Sequence, residues 1–221
     1  MVYHNEIVSI VGDNGAGKST LMKILTGVYR PDEGTIEFDG RRVRFASPEE
    51  SRQMGIEMVY QDMALARYQD AGVNIFLGRE PVKRLGPLRL LDYQSMWSRS
   101  VELLKGLGIE LDVRQPTGRL SGGQQQAVAI ARVLSSEVPP KLVILDEPTA
   151  ALAVQEVEKV LNLIRMLKQR GVTLILISHR LSDVFAVSDR IVVLRSGAVA
   201  GELLAREATT EGVVRLMVGA H

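Results

Sequence analysis

A glycine-rich segment near the start of the chain constrains its fold more than any other feature. The residues from Gly12 to Ser19 read GDNGAGKS and fit the pattern GxxxxGK[ST]. The apolar run from Glu6 to Val11 is typical of a strand, and the apolar-periodic stretch from Lys18 to Leu25 is typical of a helix. A strand that enters a helix through such a loop predicts an α/β fold.

The composition of this segment, called the phosphate loop below, suits the binding of a nucleotide's phosphates. Glycines let successive backbone N–H groups point inward at phosphate oxygens, and the following helix presents its positive end to the same anion. The Lys18 ammonium suits the β- and γ-phosphates, and the Ser19 hydroxyl is a hard oxygen ligand for Mg²⁺. A glycine-rich turn with a solvated lysine is the alternative, which the flanking strand and helix disfavour. The residues expected to bind the nucleotide are Gly12, Asn14, Gly15, Ala16, Gly17, Lys18, Ser19 and Thr20.

Further apolar runs of strand length recur along the chain. Because they are continuous rather than alternating, they predict strands that are covered on both faces. Helix-forming stretches separate them, so we expect a parallel sheet with right-handed crossovers, followed by a helix near Thr210 to Met217. The runs are Ile56 to Tyr60, Lys141 to Leu145, Thr173 to Ile177 and Ile191 to Leu194.

Two short strands after the first helix predict a small antiparallel lobe. They are Gly34 to Asp39 and Arg42 to Ala46, on either side of Gly40, which suits a turn. The sequence Ser47-Pro48-Glu49-Glu50 then forms a capping box, which places the start of a helix at Pro48.

The segment from Gln61 to Pro116 differs in character from the rest. Its residues are mostly helix-forming, and it carries methionines and the only tryptophan, Trp97. We therefore expect residues 62–134 to form a helical lobe inserted into a core made of residues 1–61 and 135–221.

Composition excludes several classes of protein. The chain has 221 residues, 46% of them hydrophobic, which suffices for one large domain or two closely packed lobes. Lysine and arginine number 27 against 26 acids, so no positive excess is present to attract nucleic acid. The absence of cysteine excludes disulfides and thiolate chemistry and fits a reducing compartment. No apolar run approaches the about 18 residues of a membrane span, so we expect any membrane to be crossed by another subunit.

A pair of acids follows one of the predicted buried strands. The sequence from Leu142 to Glu147 is LVILDE, so Asp146 and Glu147 emerge at the sheet edge where α/β folds bind ligands. We expect Asp146 to hold Mg²⁺, directly or through water, and Glu147 to polarise the attacking water toward the γ-phosphate. Solvated carboxylates at a strand end are the alternative, which the phosphate loop makes the minority interpretation.

The sequence Leu120-Ser121-Gly122-Gly123-Gln124, called the signature segment below, precedes a helical run from Gln125 to Leu134. Ser121 suits the cap of a helix whose N-terminus offers free N–H groups to a phosphate. With the preceding motifs, LSGGQ makes the chain resemble the ABC ATPases over nearly its whole length. The resemblance implies a P-loop NTPase core of the RecA type. It also implies that Ser121, Gly122, Gly123 and Gln124 contact the γ-phosphate of an ATP bound by a second subunit in a head-to-tail dimer.

The resemblance assigns roles to two further residues. Gln61, after the strand Ile56 to Tyr60, resembles the glutamine that senses Mg²⁺ and the attacking water in this family. His179, after the strand Thr173 to Ile177, resembles the histidine that contacts the γ-phosphate. Neither residue would indicate a function by itself.

A finer resemblance is to importers of monosaccharides of the ribose, xylose and fructose type. It implies a separate transmembrane permease docked on the helical lobe and, indirectly, a solute-binding protein. It also implies a place in the cytoplasm, on the inner face of the cell membrane. The stretches that carry it are Val11 to Thr20, Asn74 to Glu80, Glu147 to Leu152, and Ser178 to Leu181 before Ser188 to Ile191.

Two features depart from the family pattern. The family has two strands and an adenine-stacking aromatic ahead of the phosphate loop, and Tyr3 is too close to Lys18 to be that aromatic. We therefore expect the adenine platform to be missing. The loop after the magnesium strand usually ends in aspartate, where this chain has Ala153, so communication across the dimer is expected to be weaker.

Three other functions fit parts of the pattern. A non-transport ABC ATPase would normally carry a long coiled-coil insertion, a second cassette or a basic face. A nucleotide-binding subunit without useful turnover would explain Ala153, but not the intact Lys18, Gln61, Glu147 and His179. A small-molecule kinase would share the phosphate loop but has no use for LSGGQ.

Overall fold

The computed structural model describes residues 1–219 and shows ten strands, eight α-helices and one short 3-10 helix (Thr117–Arg119) in them. The strands are β1 (Ile7–Val11), β2 (Ile36–Phe38), β3 (Arg41–Val43), β4 (Ile56–Val59), β5 (Val82–Leu85), β6 (Leu88–Leu91), β7 (Leu142–Asp146), β8 (Thr173–Ile177), β9 (Arg190–Arg195) and β10 (Ala198–Leu204). The helices are α1 (Lys18–Leu25), α2 (Pro48–Gln53), α3 (Ala71–Phe76), α4 (Tyr93–Gly106), α5 (Gly122–Leu134), α6 (Val154–Gln169), α7 (Leu181–Val187) and α8 (Thr210–Val218).

A six-stranded sheet with the order β10-β9-β1-β8-β7-β4 forms the centre of the molecule. Five strands run parallel, and β10 pairs with β9 in the antiparallel sense. The α/β fold class and its parallel sheet are therefore confirmed. The antiparallel edge strand was not predicted, because Ala198–Leu204 is a half-exposed segment instead of a continuous apolar run.

The continuous apolar strands are covered on both faces, as predicted. Every residue of β1 and β8 is buried. In β7, Val143 and Leu145 pack with α5 and α6, while Ile144 packs on the other face with Met22 of α1. Strands that contact apolar neighbours on both sides have no polar face, which explains why these segments do not alternate.

The small antiparallel lobe is confirmed as the hairpin of β2 and β3, in which Ile36 faces Val43. Both strands are shorter than predicted. The loop residues Asp39 and Gly40 have φ angles of 54° and 73°, as required by a tight two-residue hairpin turn. The predicted start of α2 is confirmed at Pro48, where the Ser47 side chain accepts from the Glu50 N–H. The capping box itself is incomplete, because the Glu50 carboxylate accepts from the Ala46 N–H instead of the Ser47 N–H.

The segment 62–134 contains α3, α4 and α5, but it is not helical throughout. The exposed hairpin of β5 and β6 interrupts it, with Leu85 facing Leu88. The two loop residues are Gly86, with a φ of 60°, and Pro87, which together close a tight turn. Leucine, lysine and arginine dominate this hairpin. Because these residues have a high helix propensity, the composition of the segment predicts a helix instead of a hairpin.

A buried ion pair joins the helical segment to the sheet. Glu57 on β4 lies 2.8 Å from Arg79, which follows α3. The Arg79 guanidinium also donates to the carbonyl of Arg132 on α5, and Arg132 donates to the carbonyl of Asn74 at 2.9 Å. Because an unpaired buried charge is costly, this network fixes the helical segment beside β4.

The start of α6 has only half of a capping box. Ala153 occupies the N-cap position with no side-chain hydrogen bond, while Glu156 occupies the third helical position, where the Ala153 N–H lowers the pKa of its carboxyl. The first turn of this long helix therefore lacks the side-chain acceptor that serine or threonine would supply.

We predict that Ala153→Ser stabilises the fold by about 1 kcal/mol, because it completes a capping box with Glu156. At this chain length the melting temperature should rise by about 2–4 °C, as measured by calorimetry. Ala153→Val is the matched control, since valine adds side-chain volume but no acceptor. Equal melting temperatures for the two variants would contradict the prediction.

Candidate functional site

The phosphate loop connects β1 to α1 in a conformation that depends on glycine. Gly12, Gly15 and Gly17 have φ angles of 154°, 84° and 100°. A Cβ on Gly12 would lie 2.3 Å from the carbonyl oxygen of Leu194, so this residue must be glycine. Gly17 is the N-cap of α1 and supplies no side-chain acceptor, which leaves the first-turn N–H groups without a side-chain cap.

The exposed and the buried residues of the phosphate loop have different roles. Asn14, Gly15, Ser19 and Thr20 are exposed at the mouth of the loop. Ala16 is buried and contributes its backbone, which accepts a hydrogen bond from the Gly197 N–H at 3.0 Å. The turn between β9 and β10 therefore holds the phosphate loop in place through this hydrogen bond.

Lys18 turns back over the loop. Its Nζ donates to the carbonyl of Gly12 at 2.6 Å and to that of Asp13 at 3.0 Å. This ammonium is thus held at the loop by neutral acceptors, which an anion entering the loop can replace as its partner.

Asp146 ends β7 at the same edge of the sheet as the phosphate loop. Only β8 separates β7 from β1, so the carboxyl ends of all three strands meet at one edge. Burial raises the pKa of the Asp146 carboxyl, the negative charge of Glu147 raises it further, and the positive charge of Lys18 lowers it. The half-buried carboxylate therefore lies within the electrostatic influence of the phosphate loop and is stabilised by a cation.

Glu147 and His179 form a close pair. The Nδ1 of His179 lies 2.8 Å from the Glu147 Oε2, and the His179 N–H donates to Oε1 at 3.1 Å. Apart from this neighbour, Oε2 is buried without a hydrogen-bond partner among residues 1–219. Glu147 has a φ of 48°, which marks a sharp change of direction directly after the strand.

The signature segment lies at the start of α5. Ser121 and Gln124 form a complete capping box, as the Ser121 Oγ accepts from the Gln124 N–H and the Gln124 side chain accepts from the Ser121 N–H. The first turn packs against Leu152 and Glu156. Within residues 1–219 no hydrogen bond joins the signature segment to the phosphate loop. Gln61 is exposed just beyond the end of β4, the neighbour of β7.

A buried contact that the motifs did not indicate holds the loop after Glu147. The Thr149 hydroxyl donates to the Asp183 carboxylate at 2.6 Å, and both residues are buried. Arg180 lies 3.5 Å from the same carboxylate and donates to the Thr149 carbonyl. This network ties the loop after β7 to the loop after β8, and so keeps Glu147 close to His179. No spacing rule relates these residues, so only the fold reveals them.

Tyr3 lies at the opposite end of β1 from the phosphate loop. Its ring is stacked on the guanidinium of Arg190, 5.1 Å from the ring centroid. Because Tyr3 precedes the strand and the loop follows it, this position agrees with the inference that Tyr3 is not a base platform.

Residues 1–219 contain neither a membrane-spanning helix nor a cluster of metal-binding side chains. None of the helices in residues 1–219 is long and apolar enough to cross a membrane. Nor do these residues contain a group of three or more histidine, aspartate or glutamate side chains that could hold a metal ion.

The comparisons with known proteins identify the class. Residues 1–150 match the family model described as ABC transporter. The chain belongs to this family, which confirms the resemblance inferred from the signature segment.

Two curated relatives are ATP-binding proteins of sugar transport systems. The chain is 41% identical over 218 residues to the ribose import ATP-binding protein RbsA of Geobacillus kaustophilus (strain HTA426), covering 99% of this chain and 43% of that protein. It is 45% identical over 214 residues to the galactofuranose transporter ATP-binding protein YtfR of Escherichia coli (strain K12), covering 97% and 42%. The chain thus spans less than half the length of the curated relatives it matches.

Solved structures have the same fold. An ATP-binding cassette of an ABC transporter, MJ1267 in its ADP conformation, superposes with a TM-score of 0.81 and 26% identity, covering 99% of this chain and 86% of that one. The dimeric post-hydrolysis cassette MJ0796, bound to ADP and Pi, gives 0.74 and 28%, covering 94% and 89%. These likenesses confirm the P-loop NTPase fold.

We predict that Lys18→Ala abolishes measurable ATP binding at millimolar nucleotide, because the loop loses its cation for the β- and γ-phosphates. Lys23→Ala, on the same helix, is the control, since Lys23 rests on the Tyr29 ring and should leave binding unchanged. Isothermal titration calorimetry measures both. Tight binding by the Lys18 variant would contradict the assignment.

Proposed function

We propose that the chain is the ATP-binding and ATP-hydrolysing part of an ABC transporter, and that it energises import of a small solute, a monosaccharide, through a separate permease. The observation that carries the proposal is the convergence of the phosphate loop, Asp146 and the Glu147–His179 pair at one sheet edge. The sugar-import functions named for RbsA and YtfR support the substrate class.

The phosphate loop binds the nucleotide in this proposal. The uncapped N–H groups at the start of α1 and the loop amides face the β- and γ-phosphates. Lys18 exchanges the carbonyls of Gly12 and Asp13 for phosphate oxygens. The exposed Asn14 and Thr20 lie where they would contact the outer phosphate oxygens.

The donor set fits Mg²⁺. Ser19 and Asp146 offer hard oxygen atoms, and the raised pKa of Asp146 shows a carboxylate whose charge a cation would stabilise. A site with so few protein ligands suits an ion that keeps waters and phosphate oxygens in its shell. Gln61, beyond the neighbouring strand, is the proposed third protein contact. When bound, Mg²⁺ would neutralise charge on the phosphates.

Glu147 is the proposed general base. Hydrolysis joins a water oxygen to the γ-phosphorus, breaks the bond to the β–γ bridging oxygen, and requires a group that accepts the water's proton. Within the described part of the chain, the buried Oε2 of Glu147 has no hydrogen-bond partner other than its histidine neighbour, so a lone pair is available to accept a proton. With Nδ1 turned to Glu147, Nε2 is the ring atom left to contact the γ-phosphate, and the His179 side chain is 66% exposed.

A second ATP-binding subunit completes the proposed site. The signature segment makes no hydrogen bond to its own phosphate loop in the described part of the chain, yet it opens a helix whose N-terminus suits a phosphate. In a two-fold dimer, Ser121, Gly122, Gly123 and Gln124 would contact the γ-phosphate held by the partner. The dimeric MJ0796 cassette supports such an assembly.

A cleft on this chain suits the docking of the permease. A cavity of about 540 Å³ lies between β4 and the helical segment, and Tyr60, Met63, Leu77, Arg79, Arg132 and Val138 line it. Gln61, a residue of the proposed site, directly follows Tyr60 in the wall of this cleft. A helix of the permease bound in the cleft would therefore lie next to the sheet edge that carries the proposed site. We therefore propose residues 62–134 as the docking lobe of a core made of residues 1–61 and 135–221. This docking would hold the chain at the inner face of the cell membrane and couple it indirectly to a solute-binding protein.

Glu147→Gln tests the catalytic assignment. This variant should bind ATP, lose at least about a hundredfold in hydrolysis rate, and accumulate as an ATP-dependent dimer, because the amide keeps the geometry and removes the base. Phosphate release and light scattering measure the two effects. Glu158→Gln is the control, as this exposed carboxylate pairs only with Arg165 in the described part of the chain. Unchanged turnover in the Glu147 variant would refute the assignment.

Ser121→Arg tests the composite site. The variant should bind ATP normally as a monomer but lose turnover, because a bulky cation would fill the position of the partner's γ-phosphate. Ser98→Arg, an exposed site on α4, controls for the added charge. Wild-type hydrolysis by the Ser121 variant would mean that each site acts within one subunit.

A further inference from the structure

A carboxylate of this same chain lies at the N-terminus of the signature helix. The N–H of Gly123 donates to the Glu156 Oε1 at 3.2 Å. Hydrogen bonds from the Ser121 side chain and the Gly123 N–H lower the pKa of Glu156, in that order, and so favour its ionised form. An anion of the chain itself therefore already occupies the Gly123 N–H of the signature segment.

The glycines of the signature segment allow this approach. A Cβ on Gly123 would lie 3.2 Å from the Glu156 Cβ, and one on Gly122 would lie 3.4 Å from the Glu156 Oε2 and 2.5 Å from Leu152. Side chains at either position would press on Leu152 and Glu156, so the two glycines admit both the first turn of α6 and its carboxylate.

The same donors are those assigned above to the γ-phosphate of the partner's ATP. One N–H at a helix N-terminus cannot serve a carboxylate and a phosphate fully, and the two negative charges repel each other at such distances. Glu156 is only half-buried, so its side chain has access to solvent.

We propose that Glu156 is an internal occupant of the signature segment, which the partner-bound ATP must displace when two subunits close. The inference rests on the proposed composite site, and it adds a threshold ATP concentration for the closing of that site. ATP that cannot displace the carboxylate leaves the subunits apart, so Glu156 sets the nucleotide concentration at which the dimer forms.

Glu156 also has a structural contact that the test must separate from this role. The Ala153 N–H at the start of α6 also lowers the pKa of its carboxyl. Glu156→Gln keeps an acceptor for this contact and removes only the charge, whereas Glu156→Ala removes both. Melting temperatures of the two variants therefore report the capping contribution on its own.

The experiment measures the ATP concentration that gives half-maximal dimer by light scattering, in a Glu147→Gln background where hydrolysis does not interfere. Adding Glu156→Gln should lower this concentration about tenfold, in line with the loss of one competing charged hydrogen bond. Adding Glu156→Ala should lower it as well, although with reduced thermal stability. Adding Glu158→Gln, the same charge change two residues along α6, should leave it unchanged.

An unchanged or higher concentration for both Glu156 variants would overturn the inference and make Glu156 a residue that holds the signature helix in place. If the Glu147→Gln parent forms no dimer, the composite site itself fails. The displacement of Glu156 is then tested separately in the monomer, by titration with inorganic phosphate followed at the Gly123 amide by NMR. Glu156→Gln should shift this resonance at lower phosphate concentration than the parent, and identical titrations would contradict the displacement.

Discussion

The close contact between the phosphate loop and strand β9 determines where the rest of the site can lie. Gly12 passes so near the Leu194 carbonyl that no side chain fits, and the Gly197 N–H holds the loop through Ala16. These contacts require β1 to run parallel beside β9 in the middle of the sheet. Once β1 is central, the parallel ladder brings the ends of β8 and β7, and with them His179 and Asp146, to the same edge.

Electrostatics at this edge leave a site that is ready for anions and cations together. Asp146 and Glu147 place two carboxylates beside each other, and burial adds to the cost of ionising Asp146. Lys18 offsets part of that cost through space, while its own hydrogen bonds go to carbonyls that carry no charge. The proposed metal–nucleotide complex would supply a cation for the carboxylates and an anion for the lysine.

Most of the sheet and the site could be predicted, because both depend on local signals in the sequence. Strands buried on both faces are continuously apolar, and the phosphate loop and capping boxes have fixed spacings. The edge strand β10 and the hairpin of β5 and β6 were missed for the opposite reason. Both are exposed, so neither shows the burial pattern that reveals a strand, and leucine and arginine in the hairpin favour a helix when taken alone.

Contacts between elements distant in sequence could not be predicted, and they include the one that bears on the signature segment. Glu156 follows Gly123 by 33 residues and fits no motif, yet α5 and α6 bring it to the Gly123 N–H. The glycines that would let a phosphate approach also let this carboxylate approach, since neither has a side chain to exclude it. A glycine-flanked helix N-terminus therefore defines an anion site without defining its anion, and the fold of the chain decides which anion is there first.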